Sequence, residues 1–434
     1  MTTDIPVRRS ALAEPTVNPP ARWVAFLTLA SIGLWAGFFG PLQVLLAQQA
    51  EAIDEDAKKQ ILSVVLGLGA FTSVVCNPVF GAFSDRTMLR LGRRLPWVLG
   101  GALGGALSLM VLSVADSVVV MALGWCGVQA ALNAMLAAVT ATVPDQVPVA
   151  SRGKVGGILA IAQTVGVVSG TGIASLTGSI AAGYTVTAVV LVVLTIPYAV
   201  RSRDIALTPE ERPAPFDWSA FVRSFWISPR EHPDFAWAWI TRFLVNLGNA
   251  LALLYLLYYL QDVLGFSQNQ AEDRVFLLTG VYAAVLMTTA VGFGIWSDRS
   301  GKRKVFVIWS GVVAACAALL LAVGQSWPTT VVAAVLMGVG FGIYSSVDFA
   351  LITQVLPGAA DRAKDLGVIN IANALPQVFA PGIAAVILIV VEAFGGVTET
   401  GGDGFSAGYC VVYLSAFVVA VLGSVFVTRI RSVP

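Results

Sequence analysis

Twelve apolar runs, each about as long as a helix needs to cross hydrocarbon, set the frame for this 434-residue chain. They fall at residues 23–47, 61–83, 96–114, 118–143, 154–178, 182–200, 235–261, 275–297, 305–323, 329–355, 366–391 and 408–427. In lipid every backbone N–H and C=O must find a partner inside the structure, which only helices and closed barrels achieve. No alternation of polar and apolar residues is sustained, which argues against a barrel. Composition agrees, with 57% hydrophobic and 12% charged residues against about 25% charged in a typical soluble domain. The predicted class is all-α and multi-pass.

A charged hairpin is written twice. Gly81-Ala82-Phe83-Ser84-Asp85-Arg86 closes in Gly92-Arg93-Arg94, and Gly294-Ile295-Trp296-Ser297-Asp298-Arg299 closes in Gly301-Lys302-Arg303-Lys304. Each copy ends one apolar run and precedes the next. The repeat continues: Thr142-Val143-Pro144 matches Val355-Leu356-Pro357, Arg152-Gly153-Lys154 matches Arg362-Ala363-Lys364, and Ile161-Ala162-Gln163 matches Ile371-Ala372-Asn373. Six spans followed by six in the same orientation imply two equivalent halves related by an axis along the membrane normal. The expected organisation is a disordered cytoplasmic tail over 1–22, a six-helix half over 23–200, and a linker over 201–234. A second half over 235–427 and a tail over 428–434 follow.

Orientation follows from Lys and Arg. With the N-terminus in the cytoplasm, 22 of the 26 basic residues lie on the inner side, the positive-inside pattern of a plasma (inner) membrane protein with both termini cytoplasmic. In the linker, Trp218, Phe221, Val222 and Phe225 fall on one face of a short helix with Asp217 as N-cap, the spacing of an interfacial helix.

Several function classes are set aside by what is written. The net charge of +1 supplies no field for nucleic acid. Cys76, Cys126, Cys316 and Cys410 sit singly in apolar runs, and His232 is the only histidine, so no metal site is expected. No Walker loop or glycine fingerprint follows a strand, and no nucleophile–base pair lies at membrane depth, so neither an enzyme nor a cofactor is expected. The pairs Gly100/Gly104, Gly101/Gly105, Gly166/Gly170 and Gly338/Gly342 read as close helix–helix approaches.

The hairpins have a physical use. Asp85 or Asp298 can pair with nearby arginines and with the positive N-terminal end of a helix from the other half. Gly81, Asp85, Arg86, Arg93, Arg94 and Gly294, Asp298, Arg299, Lys302, Arg303 are therefore the expected conformational latch. It would hold one state and release in the other.

The second hairpin, with Gly294, Asp298-Arg299 and Gly301-Lys302-Arg303-Lys304, resembles the signature loop of the major facilitator superfamily. The first, with Ser84-Asp85-Arg86, Gly92-Arg93-Arg94 and Pro96, resembles the sucrose–proton and wider glycoside–pentoside–hexuronide:cation symporters, as does Pro144-Asp145-Gln146-Val147-Pro148. This resemblance implies the major facilitator fold, with spans 1, 4, 7 and 10 around a central cavity and alternating access. One departure matters: the sucrose symporters' charged positions in span 4 fall on Gln129 and Thr140 here, so their coupling mechanism does not transfer.

Asp348 is the one carboxylate well inside a span, with Arg242 in span 7 as a possible partner. An ionised group there costs about 2.5–3.5 kcal/mol on insertion scales, so it is expected to face a cavity or a partner. The candidate readings are proton coupling, substrate binding or a structural ion pair. For Arg242, snorkelling to the inner surface is the alternative. Trp35, Phe38, Gln129, Asn133, Gln163, Asn246, Asn249, Tyr255, Asn370, Asn373 and Gln377 are the candidate substrate cavity, although such amides also serve as interhelical hydrogen bonds. The expectation is a monomeric proton-coupled symporter of a sugar or similar small polar solute. The rival is a proton-driven exporter of amphipathic compounds.

Overall fold

A computed structural model of the chain describes residues 10–433 apart from 203, 216, 359 and 403, without the side chains of 58–60, 63, 254, 268, 269, 272, 276, 377, 378 and 381. Among the described residues regular structure is helical, apart from an isolated bridge between Leu89 and Gly92. Each of the twelve expected spans lies on a helix. The first half supplies α1 (Ala21–Gly40, continued through Pro41–Leu45 and Leu46–Ile53), α2 (Lys58–Asp85), α3 (Leu95–Ser113), α4 (Val118–Gln146), α5 (Arg152–Leu176) and α6 (Ile180–Arg201). The second supplies α7 (Pro233–Leu254, continued as Leu256–Asp262), α8 (Gln268–Ser300), α9 (Arg303–Gly324), α10 (Trp327–Val355), α11 (Arg362–Ala393) and α12 (Ala407–Val427). Eleven of these are long and apolar enough to cross a membrane over their described residues, and in α11 the apolar described stretch is Gly382–Ala393.

Local chemistry sets the boundaries. Pro41 has no N–H to give to the preceding turn, and α1 passes there through five residues of π-helix. Ser179 caps α6 by accepting from the Ala182 N–H at 3.2 Å. Gly301 stops α8 in the left-handed region at φ 67°, where a residue with a Cβ is strained.

The chain divides into two compact units. The first comprises Met1–Val149, Ala162–Trp226 and Leu356–Asn370; the second comprises Ala150–Ile161, Ile227–Val355 and Ile371–Pro434. The units are thus not quite the sequence halves: the start of α11 belongs to the first, and the start of α5 to the second. Within each unit the helices pair alike. In the first unit α3 packs on α4, α2 on α4, α1 on α6 and α3 on α6; in the second α9 packs on α10, α8 on α10, α7 on α12 and α9 on α12. The duplication read from the hairpins is therefore a duplication of helix packing. The paired glycines serve that packing: a Cβ on Gly166 or Gly170 would lie 2.7 or 2.6 Å from α1 carbonyls, and one on Gly338 or Gly342 would lie 2.8 or 2.7 Å from α8 carbonyls.

Two connecting segments depart from expectation or refine it. Residues 1–9 lie outside the described residues, but from Ser10 onward the expected disordered tail is packed on the first unit. Ala11 and Pro15 are buried, and Ser10 Oγ and the Leu12 N–H both donate to Glu211 of the linker. Glu211 is fixed in turn by a capping box with Thr208, so the tail meets a preformed acceptor. The linker helix forms at Trp218–Arg223 with Asp217 as its cap, accepting from Ser219 N–H at 2.8 Å. It docks through Phe221, stacked on Phe83 at 5.5 Å, and leaves Trp218, Val222 and Trp226 exposed.

Gly170→Val is expected to destabilise the first unit by about 1–3 kcal/mol, because the new side chain meets α1 backbone that cannot move aside. A thermal unfolding scan of the purified variant should show an earlier transition than wild type.

Candidate functional site

The hairpin aspartates close two clasps of the same design. Asp85, at the end of α2, is 3% exposed and accepts the N–H groups of Ala363 and Lys364 at 3.1 and 2.9 Å. Asp298, near the end of α8, accepts those of Gly153 and Lys154 at 3.0 and 2.7 Å. Each carboxylate thus takes two orphan donors from the first turn of α11 or α5, where the helix dipole favours negative charge. Gly81 and Gly294 make this possible. A Cβ on Gly81 would lie 2.4 Å from the Ala363 carbonyl oxygen, and one on Gly294 would lie 2.6 Å from that of Gly153.

The arginines behind the carboxylates distinguish the two clasps. Arg94, fully buried, pairs with Asp85 at 2.7 Å, with Asp145 through Nε at 2.8 Å, and donates to Ser84 Oγ at 3.0 Å. Arg93 pairs with the other Asp145 oxygen at 2.8 Å, and Arg362 reaches that oxygen at 3.2 Å and the Pro144 carbonyl at 3.1 Å. Burial works against charge on Arg94, but Asp145 and Asp85 hold its guanidinium above the ordinary value. Glu14 of the docked tail adds a further carboxylate to Arg362.

The second clasp is leaner. Arg303 pairs with Asp298 at 3.2 Å and donates to the Ala350 carbonyl at 2.9 Å, and Arg152 donates to the Thr353 carbonyl at 3.3 Å. The repeat offset puts Gly358 where the first half has Asp145, and carbonyls of Ala350 and Thr353 accept from the arginines of this clasp. Removing one member of a buried ion-pair network costs about 3–5 kcal/mol; the first clasp, with three arginines on Asp145, has more to lose. Arg86 donates to the Ala214 carbonyl, and Arg299 and Lys302 are exposed.

A second constellation lies inside the second unit. Asp348, 4% exposed, pairs with Arg242 Nη1 at 2.9 Å. Arg242 Nε donates to Asn373 Oδ1 at 2.7 Å, and Asn246 Nδ2 donates to the same oxygen at 3.0 Å and to the Arg242 carbonyl at 2.8 Å. Side chains of α7, α10 and α11 thus surround one ion pair. The snorkelling alternative for Arg242 is replaced by this pairing, since burial makes the carboxylate a stronger partner than distant water. Asn249 is half-buried and lines a cavity of about 20 Å³ with Tyr344, room for one water.

The other cavity candidates separate. Asn133 is 1% exposed and spent inside the first unit: it donates to Gln129 O at 2.8 Å and accepts from Asn77 and Ser73 at 3.0 and 3.2 Å. Its amide thereby joins α2 to α4, and Gln129, also buried, is part of that joint. Trp35 lies tilted against Phe38 and Phe39 with ring centres at 5.9 and 6.0 Å, Phe38 being buried, and its Cβ packs near Gly166. Gln163 is exposed, Asn370 is half-buried in the first unit, and Tyr255 sits at the break in α7 beside Tyr258. The Gln377 side chain lies outside the described residues.

Residues 57–430 match the family model described as MFS/sugar transport protein. The chain belongs to the major facilitator superfamily. It is a multi-pass membrane protein of a transporter family, not of an enzyme family. Shorter matches join it to an uncharacterized MFS-type transporter of Schizosaccharomyces pombe, 27% identical over 36% of this chain and 33% of that one. The multidrug resistance protein MdtL of a Shewanella species is 32% identical over 27% and 29%. An uncharacterized symporter of Synechocystis is 49% identical over 10% and 8%. The matched stretches span a third or less of these relatives. The human organic anion transporter MFSD10 superposes with a TM-score of 0.72 at 17% identity, over 94% of this chain and all of that one. A bacterial ferroportin homologue in an outward-facing state gives 0.70 at 15%, over 94% and 98%. At such identities these structures share the major facilitator fold.

Asp145, Arg362, Arg152 and Lys364, which mark the repeat and the loop motif in the sequence, are parts of the clasps themselves. Their recurrence beside the hairpins was the available signal. Asp365, one residue ahead of the eleventh expected span, is 1% exposed beside Lys364 at 3.5 Å, and its Oδ2 is buried with no hydrogen-bond partner. Burial above all, then the charges of Asp361 and Asp85, push this carboxyl up to about 7 against the pull of Lys364. A raised carboxyl keeps its proton in the folded protein where the unfolded chain has lost it. Its contribution to stability therefore falls as pH rises from the ordinary carboxylate range to about 7. Thermal unfolding at pH 5 and pH 8 should show a smaller acid-side advantage in Asp365→Asn than in wild type.

Proposed function

We propose that this chain is a proton-coupled symporter of a sugar or similarly polar small solute, working by alternating access from a plasma (inner) membrane with both termini cytoplasmic. The single observation that carries the coupling is the buried Asp348–Arg242 pair with its Asn373 and Asn246 partners. A proton on Asp348 would cancel the pair, release the guanidinium from its carboxylate and free the amides to hydrogen-bond substrate hydroxyls. Deprotonation would restore the pair. The family description and the short match to a symporter support this reading. The clasps supply the conformational half of the cycle, closing in one state and opening in the other. The transporter acts as a monomer and needs no cofactor in this scheme.

The rival reading, proton-driven export of amphipathic compounds, has its support in the match to a multidrug resistance protein. Uptake of radiolabelled sugars into vesicles, with and without an imposed pH gradient, separates the two. Gradient-dependent sugar uptake is expected; dye efflux with no sugar uptake would overturn the symporter.

Asp348→Asn is expected to flatten the pH profile of uptake, since the neutral amide mimics the protonated state at every pH. An unchanged profile would remove this residue from coupling. In Asp85→Asn the amide brings donors against the Ala363 and Lys364 N–H groups, and a charge-assisted bond worth about 1.5–3 kcal/mol is lost. The closed clasp should weaken by about ten- to a hundredfold, slowing turnover while the amount of protein in the membrane is unchanged; normal kinetics would leave the hairpin a sorting signal.

A further inference from the structure

Residues 10–15 make contacts that a free tail would not. Glu211 of the linker divides its two oxygens between the linker and the tail. Its Oε2 accepts the Thr208 N–H at 2.8 Å, which closes the capping box. Its Oε1 accepts from Ser10 Oγ and from the Leu12 N–H at 3.4 Å. Ala11 and Pro15 are buried on either side of Glu14. The Glu14 side chain is 56% exposed, and its carboxylate pairs with the Arg362 guanidinium, whose side chain is 5% exposed.

Arg362 opens α11, in the same turn as the Ala363 and Lys364 N–H groups that Asp85 accepts. Three carboxylates thus hold this one turn, Asp85 on its N–H groups and Asp145 and Glu14 on the Arg362 side chain. They differ in what release costs. Asp85 and Asp145 are 3% and 6% exposed, so parting either from its partners strands a buried charge. Glu14 already meets water, and its withdrawal leaves Arg362 with Asp145 and the Pro144 carbonyl. The anchor on Glu211 keeps Glu14 at high effective concentration beside the arginine. One hold of the three can therefore come away while the others stay made.

We propose that residues 10–15 form a detachable strap, anchored on Glu211, whose Glu14 sets how long the first clasp stays closed. Attached, the strap adds a hold on the first turn of α11; detached, it leaves that turn to Asp85 and Asp145. The strap acts on the clasp whatever the solute, and backbone protection reports it without transport, so its failure would leave the symporter reading untouched.

Amide hydrogen exchange on the full chain in detergent tests this, read at the peptide holding Ala363 and Lys364, with α4 as the reference for global opening. Glu14→Gln is expected to speed exchange at that peptide about two- to fivefold, the worth of a part-exposed ion pair, and to leave α4 unchanged. Ser10→Asp sets a second carboxylate against Glu211 and should give the same acceleration, because the undocked tail takes Glu14 with it. The two changes combined should be no faster than either alone, since both remove one strap. Wild-type exchange in Glu14→Gln or in Ser10→Asp would overturn the proposal. So would a double variant whose acceleration is the product of the two, or an equal acceleration in α4.

Discussion

A carboxylate that accepts two consecutive backbone N–H groups at the start of a helix is the interaction on which this architecture turns. It occurs in both units, Asp85 on α11 and Asp298 on α5. The geometry needs a glycine one turn earlier, where a Cβ would strike the capped helix, and an arginine behind to offset the buried charge. These needs account for the spacing of glycine, aspartate and basic residues in the hairpins. A charge in a half-buried place survives only with such compensation, since desolvation alone costs several kcal/mol. Helix N-termini provide part of it without any further side chain.

Duplication has not kept the two clasps equal. In the first, Asp145 gathers Arg93, Arg94 and Arg362 into a network of charges; in the second, Gly358 occupies that place and Arg303 and Arg152 use main-chain carbonyls. A network of ions is strong but all-or-none, while bonds from arginine to carbonyls are weaker and can be made singly. The two clasps therefore rest on different kinds of bond. The docked tail adds to the first clasp alone, through Glu14 on Arg362.

The fold was legible because lipid leaves few choices: apolar length gave the helices, and the repeated hairpin gave the halves. The pairing of the hairpin charges was legible too, since acids and bases at matched places in the repeat are expected to find one another and the first turn of a helix. What sequence reasoning could not supply was the identity of partners. Asn133 reads as a cavity amide but is consumed by Asn77 and Ser73, because an i, i+4 amide pair looks the same whether it faces a void or a neighbouring helix. Asp145 escaped notice as a hub because its three arginines come from distant stretches. The order of Ser10 to Pro15 was missed because a proline-rich, polar segment carries no sign of the preformed Glu211 acceptor awaiting it.

The first turns of α5 and α11 are counted with the unit opposite to the rest of their sequence half. Neither half can thus complete its own clasp, since the N–H groups that its aspartate requires are encoded on the far side of the linker. Severing the chain between residues 201 and 234 would yield fragments that are each unfinished, and that recover their missing turns only from one another. Such mutual dependence ties folding of the whole to bonds between stretches encoded on either side of the linker.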